Sequence, residues 1–211
     1  MRNFPIARRC ITFFRWVRAV PHAVLLKISP ARDVIEKDIV RFLQECSYSE
    51  EEKLPVWRSL IFLVGEHPEF RNLLYYRVEM SPHLPSRLLL SVARFLFKPM
   101  STLFIFTPVI GPGLYIQHGF STVIAANSIG RNCWINQQVT IGYLNKTDCP
   151  TIGDNVRIAA GAKVFGDIIV GNSVIIGANA VVCKSVPSNC TVVGVPAYIV
   201  RRNGKKVREA L

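Results

Sequence analysis

Histidine is scarce in this chain, and its distribution is uneven. The 211 residues contain four histidines, and three of them (His22, His67 and His83) precede residue 104. His118 therefore stands alone in the second half of the chain. A protein zinc site needs three or four ligands, mostly histidine and cysteine side chains, at short characteristic spacings. The sequence has no such cluster, and we expect no metal.

The six cysteines are dispersed, and none of them forms a CxxC pair. Scattered single thiols are typical of proteins in a reducing compartment. No hydrophobic run approaches the ~20 residues that a membrane span requires. The N-terminus has charges spread through it and lacks the A-x-A cleavage site of a signal peptide. These absences predict a cytoplasmic protein.

Acidic residues are also few, so the chain carries a net charge of +12. The excess is shared between the two halves, with 16 basic and 10 acidic residues up to position 104, and 10 and 4 after it. A positive surface favours anionic partners such as phosphates, acidic sugars or membrane surfaces. We expect no nucleic-acid partner.

The first hundred residues carry the patterns of helices. In residues 29–45, Ser29 is the predicted N-cap, Pro30 is the first helical residue, and apolar side chains recur at helical spacing. Residues 49–52 (SEEE) fit a capping box. Another apolar helical segment, residues 85–97, is predicted to end before Pro99. We therefore predict a helical domain over residues 1–104, built as a small bundle.

The first 32 residues contain seven basic side chains and no acidic one. Phe4, Phe13, Phe14 and Trp16 lie among them. One interpretation is an amphipathic helix in peripheral contact with the inner face of an anionic membrane. The other, which we favour, is a helix that packs its aromatic side chains on the bundle or on a neighbouring subunit.

The second half of the chain repeats with a period of six. Aliphatic residues recur at that step on either side of one interruption: Val123, Ile129, Ile135, Ile141, then Ile152, Ile158, Val164, Val170, Ile176 and Val182. A six-residue period fits neither an amphipathic helix nor an isolated hairpin, and it is typical of a parallel β-helix. Glycines and asparagines between these positions suit tight corners that require positive φ.

The interruption is itself informative. Ile141 and Ile152 are eleven residues apart, so the excess segment YLNKTDCPT is predicted to bulge from the β-helix as a loop. Irregular insertions on a rigid scaffold are frequent places for functional residues.

Four stretches carry a family resemblance: IGPGLYIQHG, INQQVTIG, TIGDNVRIAAGAKVFGDIIVGNSVIIGANAVV and VVGVPAYIV. They resemble the hexapeptide-repeat acetyltransferases, in particular the serine acetyltransferase branch. The resemblance implies an α+β protein, in which the helical bundle precedes a left-handed, three-sided parallel β-helix over residues 105–200. It also implies a homotrimer that binds acetyl-CoA between subunits, with a basic C-terminal tail at residues 201–211.

In that family, a histidine at the position of His118 is the general base. An imidazole with a pKa near neutrality can accept the proton of an acceptor hydroxyl, which then attacks the thioester carbonyl. The resemblance further implies that the positions contacting acetyl-CoA are Gly142, Tyr143, Ala160, Ala178, Lys184, Arg201, Arg202 and Lys205.

The acceptor side departs from the serine-specific pattern at three places. Those enzymes carry an aspartate about fifteen residues before the base, where this chain has an apolar run near Leu103. They carry an acidic residue or a second histidine just before the base, where this chain has Gln117. Their Arg-His-Pro is replaced by Asp148-Cys149-Pro150, and Asp148 would repel the carboxylate of serine. The acceptor-side residues expected here are Gln117, Asn136, Gln137 and Asp148.

These departures favour a sister group, the O-acetyltransferases of capsule, exopolysaccharide and O-antigen synthesis, which share a stretch like CPTIG. The expected acceptor is then a sugar hydroxyl of a surface glycan. A serine O-acetyltransferase of cysteine biosynthesis and a non-catalytic scaffold are the alternatives. A zinc carbonic anhydrase on the same fold would need three histidines, and this half has one. Pairing of two trimers through the helical domain is left open.

Overall fold

The computed structural model describes the backbone of residues 5–46 and 55–211, and side chains from Trp16 onward. The predicted capping box at 49–52 and the contacts expected of Phe4, Phe13 and Phe14 lie outside the described residues. Within them, five helices precede a parallel β-helix, as the sequence predicts.

The helical part consists of α1 (Pro5–Ile28), α2 (Arg32–Glu45), α3 (Val56–Glu66), α4 (Pro68–Glu79) and α5 (Leu84–Leu96). Apolar residues at helical spacing, among them Leu25, Ile39 and Leu73, are less than 2 % exposed and form its core. Trp16 lies edge-on against Trp57 of α3, with 5.4 Å between ring centroids. This contact favours the packing interpretation for that one aromatic residue of the N-terminal segment.

Helix α2 begins later than predicted. The first helical residue is Arg32 rather than Pro30, and Ala31 occupies the N-cap position. The Ser29 hydroxyl accepts a hydrogen bond from the Ala31 amide at 3.2 Å. Ser29 therefore closes a local turn ahead of the helix, a competing use of the same side-chain chemistry.

A buried ion pair joins the helices to the β-helix. Arg77 of α4 donates from Nε to Asp38 of α2 at 2.9 Å, and both side chains are less than 10 % exposed. Arg77 also donates to the carbonyl of Gly111 at 2.7 Å, while Asp38 accepts from the amide of Gly113 at 2.7 Å. Burial raises the pKa of the Asp38 carboxyl, and Arg77 and the amides of Gly113 and Leu114 oppose that rise.

The β-helix is built from short strands stacked in three sheets. The sheet that we call A contains β1 (Leu103–Ile105), β4 (Thr122–Ile124), β7 (Thr140–Gly142), β10 (Lys163–Phe165) and β13 (Val181–Val182). Sheet B contains β2 (Val109–Ile110), β5 (Ser128–Ile129), β8 (Thr151–Ile152) and β11 (Ile169–Val170). Sheet C contains β3 (Tyr115–Ile116), β6 (Trp134–Ile135), β9 (Arg157–Ile158), β12 (Ile175–Ile176), β14 (Cys190–Val193), β15 (Tyr198–Arg202) and β16 (Lys205–Ala210). The five strands of sheet A mark five coils.

The predicted aliphatic ladder is confirmed with one correction. Its members from Ile129 to Val182 are buried and stack in register, as in the pairs Ile135 with Ile158 and Ile158 with Ile176. In β4, however, the buried residue is Ile124, and Val123 is only half-buried. The turn between β3 and β4 contains extra residues at positive φ, so the inward position shifts by one.

The corners use glycine differently from the prediction. Of the four asparagines predicted at corners, Asn132, Asn155 and Asn179 adopt positive φ, but Asn172 does not, and the positive φ falls on Ser173 instead. The repeat glycines do not; a Cβ at Gly130 would lie 2.6 Å from the backbone of Gly153 in the next coil. These glycines permit close stacking of coils rather than left-handed backbone.

The C-terminal segment is part of the fold. Strand β15 pairs antiparallel with β14, and β16 pairs antiparallel with β15. Residues 201–211, which the sequence analysis separates as a basic tail, thus extend sheet C. The strands of the β-helix proper begin at Leu103.

Candidate active site

His118 lies at the corner between sheets C and A, directly after β3. Its backbone has φ 63°, and its side chain is exposed. Gly119 follows with φ 60°, and its amide donates to the Gln117 carbonyl at 2.8 Å. Two successive left-handed residues make a tight turn, which projects the imidazole outward from the coil.

The predicted cofactor residues Ala160 and Ala178 share this corner. Ile116 pairs with Ile135, Ile135 with Ile158, and Ile158 with Ile176. Beyond these pairs, the amides of Gln138, Gly161 and Asn179 donate to the carbonyls of Phe120, Gln137 and Ala160. These bonds stack Phe120, Gln137, Ala160 and Ala178 in one column, which we call the corner column. His118 lies in the same turn, two residues before Phe120, and so stands beside the first member of the column. The two upper members, Ala160 and Ala178, have only a methyl side chain.

Two polar side chains lie beside the corner column. Asn136 donates from Nδ2 to Gln117 Oε1 at 2.7 Å, so these two predicted acceptor-side residues are joined. Among the described residues, Asn136 Oδ1 and Gln137 Oε1 are buried and have no hydrogen-bond partner within this chain. Buried acceptors normally find a donor, so these two oxygens mark positions where a ligand or a second subunit can donate.

At the position where the serine-specific enzymes carry an aspartate, the β-helix of this chain supplies no carboxylate. Leu103, where the sequence comparison locates the absent aspartate, is buried, and its Cδ2 would lie 3.2 Å from a Cβ built on Gly119. Glu69 of α4 reaches the same turn, with its Cβ 3.1 Å from that point. The sequence analysis missed Glu69, because a helical glutamate 49 residues from His118 carries no local signal.

The predicted loop joins β7 to β8, over residues 143–150. It is anchored by Asn127, whose side chain donates to the Cys149 carbonyl at 2.7 Å. Asp148 accepts from the side-chain amide of Asn145 at 2.9 Å. Partial desolvation would raise the pKa of the Asp148 carboxyl, but its hydrogen bonds from Asn145 lower it overall. The loop therefore presents an ionised carboxylate.

Gly142, Tyr143 and Lys184 lie where the strands of sheet A end. Gly142 ends β7 and pairs with Phe165, and Lys184 follows β13 in the same sheet. His118 lies before the start of these strands. His118 and this group of predicted residues therefore lie at opposite ends of the strands of sheet A. Within one chain, they do not form a single pocket.

Arg201, Arg202 and Lys205 lie apart from both His118 and the Gly142 group. They occupy the β15–β16 hairpin, where Arg201 pairs with Thr191 and Arg202 with Cys190 at the start of β14. His118 lies beyond the ends of the strands of sheet C, whereas these basic residues lie near the start of those strands. Arg202 forms an ion pair with Glu209 at 2.5 Å. Their predicted contact with acetyl-CoA stays a prediction.

A groove of about 1170 Å3 lies between α2 and sheet C, and the sequence analysis did not predict it. Trp134 lines it, and the guanidinium of Arg157 lies 4.2 Å from the Trp134 ring centroid. The six-residue period places both residues outward on sheet C, but only the packing of α2 creates the groove.

In the part of the chain that the structure describes, no group of three or more His, Cys, Asp or Glu residues could hold a metal ion. None of the described helices is both long enough and apolar enough to cross a membrane.

Comparisons with known proteins place the chain near one group. No family model matches the sequence. A serine acetyltransferase of Staphylococcus aureus is 51 % identical over 102 residues, which cover 46 % of this chain and 48 % of that protein. The chain thus spans about half the length of the curated relatives it matches.

Solved structures extend the likeness beyond the β-helix. The serine acetyltransferase of Neisseria gonorrhoeae, in complex with serine, has a TM-score of 0.61 and 26 % identity, covering 86 % of this chain and 73 % of that one. A serine acetyltransferase in complex with CoA has a TM-score of 0.53 and 27 % identity, covering 81 % and 69 %.

These findings support the resemblance to the serine acetyltransferase branch that the motifs indicate. They give no support to a closer likeness to the enzymes of capsule or exopolysaccharide synthesis. In fold and in sequence, the chain is similar to serine acetyltransferases.

Proposed function

We propose that the protein is an acetyl-CoA-dependent O-acetyltransferase, with L-serine as the first acceptor to test and His118 as the general base. The observation that carries this proposal is the exposed imidazole of His118, which lies at the corner where Gln137 and the small residues Ala160 and Ala178 stack. The likeness to serine acetyltransferases supports the choice of acetyl donor and of acceptor.

The chemistry follows from the position of the imidazole. Neutral His118 takes the proton of the acceptor hydroxyl as its oxygen attacks the thioester carbonyl. The resulting tetrahedral oxyanion requires N–H donors, for which backbone amides at the corner are candidates. Collapse expels the CoA thiolate, and the imidazolium returns the proton to its sulfur. One residue thereby acts as base and then as acid.

The corner column fits an extended pantetheine arm. The methyl groups of Ala160 and Ala178 allow a thin chain to approach the coils closely. The pantetheine arm carries two amide N–H groups, and the described residues leave Asn136 Oδ1 and Gln137 Oε1 as buried acceptors without a partner. Donation by the arm to these oxygens would satisfy both sides.

A complete site requires a second chain. Gly142, Tyr143, Lys184 and Asp148 lie toward the opposite edge of sheet A from His118. In a trimer, the corner of one subunit that carries these four residues can lie against the His118 corner of the next subunit, which brings them together with His118. We expect light scattering to give three times the chain mass of 23.7 kDa; a monomer with full activity would contradict a shared site.

A sugar hydroxyl is the second candidate acceptor, and a specific observation favours it. The loop of residues 143–150 presents ionised Asp148, with Cys149 buried beside it. The Asp148 carboxylate repels the carboxylate of serine, whereas a neutral sugar hydroxyl suffers no such repulsion.

The deciding experiment gives radiolabelled acetyl-CoA to the purified protein with L-serine or with the host's surface glycans. Rapid formation of O-acetylserine supports the first acceptor. Labelled glycan with no labelled serine would replace serine with the sugar acceptor. Failure with both would reject the transferase proposal.

The role of His118 is tested by His118→Ala. We expect the folded oligomer to persist, while the turnover number falls by ~100-fold or more, the usual contribution of a general base. The matched control is His83→Ala, which removes an imidazole next to Ser86 of α5 and should leave turnover unchanged. Near-normal turnover in His118→Ala would exclude the mechanism.

A further inference from the structure

Three titratable side chains of the helical part form a cluster whose thiol and imidazole the proposed acetyl transfer does not use. Cys46, at the end of α2, has its Sγ 3.6 Å from Nε2 of His67 and 3.9 Å from Nδ1. The other ring nitrogen, Nδ1, lies 3.2 Å from Oε1 of Glu69. A thiol, an imidazole and a carboxylate thus follow one another in hydrogen-bonding reach, the arrangement that activates a cysteine nucleophile.

The cluster is enclosed but remains accessible. Cys46 is half-buried, while Glu69 is only 8 % exposed. The rings of Phe42 and Phe62 lie edge-on to the His67 imidazole, with centroids 6.4 and 5.8 Å away. The carboxylate and the imidazole are therefore held in place, while Cys46 and the His67 side chain, which is 22 % exposed, are both only partly buried.

The electrostatics make His67 a cation. Hydrogen bonds with Cys46 and then with Glu69 raise the pKa of His67 to about 9, against the opposing effect of burial. At neutral pH, an imidazolium therefore adjoins the sulfur, a neighbour found at reactive cysteines.

Other groups near the cluster act more weakly. Tyr115 contacts Cys46, and burial is the main cause that raises the pKa of its phenol, which stays neutral. Glu45 is paired with Arg41 at 2.9 Å. The α2 C-terminus opposes a thiolate, but such helix-end effects are weak near solvent, whereas the imidazolium is in direct contact.

We propose that Cys46, His67 and Glu69 form a reactive-thiol site that is modified by small disulfides. The site differs from the other buried cysteines: Cys133 and Cys190 have backbone carbonyls as their sulfur partners. It is not a lone thiol, because a cation and an orienting carboxylate are built around it.

The reaction balances without another reagent. The Cys46 thiolate attacks one sulfur of a small disulfide, forming a Cys46–S–S–R bond and breaking the original S–S bond. Cys46 is oxidised, and the departing RS sulfur is reduced by the same electron pair. The imidazolium of His67 protonates this leaving thiolate to give RSH, and solvent reprotonates the ring.

The test uses the full-length wild-type protein and 2-hydroxyethyl disulfide, a neutral probe whose rate is insensitive to the net charge of the protein. Peptide mass spectrometry follows adduct formation at each cysteine from pH 6 to pH 8. Exposed Cys183 is the internal reference. At pH 6 we expect Cys46 to react about tenfold faster than Cys183, because few ordinary thiols are ionised there and the lower nucleophilicity of a stabilised thiolate removes only part of the gain.

Variants test the role of the imidazole. His67→Gln should slow Cys46 at pH 6 by about tenfold and leave Cys183 unchanged, since it removes the cation. Glu69→Gln should slow Cys46 by a smaller factor. If His67→Gln does not fold, the wild-type pH profile decides. Equal rates of Cys46 and Cys183 at pH 6, or a folded His67→Gln with an unchanged Cys46 rate, would overturn the proposal. Neither readout depends on acetyl transfer.

Discussion

The helical part and the β-helix bury different chemistry. Among the described residues, the buried polar and charged side chains before Leu103 include His22, Asp38, Glu69 and Arg77. From Leu103 onward they are two threonines, Thr107 and Thr122. The β-helix stacks identical positions, so aliphatic side chains suffice to specify its register. The helices have no such repeat, and directional polar contacts such as Arg77 with Asp38 and His22 with Tyr75 help to specify their arrangement.

This comparison predicts that the largest loss of stability follows disruption of the helical polar contacts. Arg77→Met removes the partner of Asp38 and leaves a buried carboxylate uncompensated. We expect the free energy of unfolding to fall by about 3–5 kcal/mol, measured by urea denaturation at fixed protein concentration.

The matched control is Arg131→Met on the β-helix. Arg131 pairs with Asp154 at 3.1 Å, but its side chain is 68 % exposed. Breaking that pair should cost less than about 1 kcal/mol. Similar losses in the two variants would mean that burial does not distinguish the two regions.

The second prediction concerns acid. Burial, and then the nearby Arg71, lower the pKa of His22 to about 4. Between that value and about 6.5, the unfolded chain binds a proton that the folded chain does not, so stability falls as the pH falls. A shift of this size corresponds to about 3 kcal/mol. Urea midpoints at pH 7 and pH 4.5 measure the loss.

The variant that isolates this effect is His22→Gln, which keeps a polar group next to Tyr75. It should be less stable at pH 7 but show a flatter pH dependence. His67 acts in the opposite direction: its raised pKa stabilises the fold fully below about 6.5, and that contribution is lost progressively as the pH rises from there through 9. An unchanged acid slope in His22→Gln would assign the acid sensitivity to other groups.

The smallest predicted effect lies at a corner of the β-helix. Asn155 is exposed and has φ 57°. Asn155→Ala should cost roughly 1 kcal/mol, because alanine tolerates left-handed backbone poorly, while Asn155→Gly should be nearly neutral. Thermal denaturation of both variants tests this, and equal losses would show that backbone strain is not the cause.

The repeating half was the more predictable from sequence. A period of six predicted the parallel strands, and its one interruption predicted the loop before Thr151. The inward residue of β4 was misplaced by one, since the extra residues after His118 carry no periodic signal. The start of α2 was misplaced for a similar reason, because Ser29 can close a turn as well as cap a helix.

The candidate site was predictable only in part. His118 and the small residues Ala160 and Ala178 follow from motif and period. Gly142 and Tyr143 are separated from them because they follow the strands of sheet A, whereas His118 follows a strand of sheet C. The three departures from the serine-specific motifs favoured a sugar acceptor, whereas the comparisons favour serine.

The sequence by itself determined the repeat, the single histidine within it and the loop, because each depends on residues close together along the chain. Only the tertiary structure decided what joins Asp38 to Arg77, and Cys46 to His67 and Glu69. The Asp38–Arg77 and Cys46–His67 contacts connect different helices, where no periodicity relates one partner to the other. Their energies come from burial, which exists only after the chain has folded.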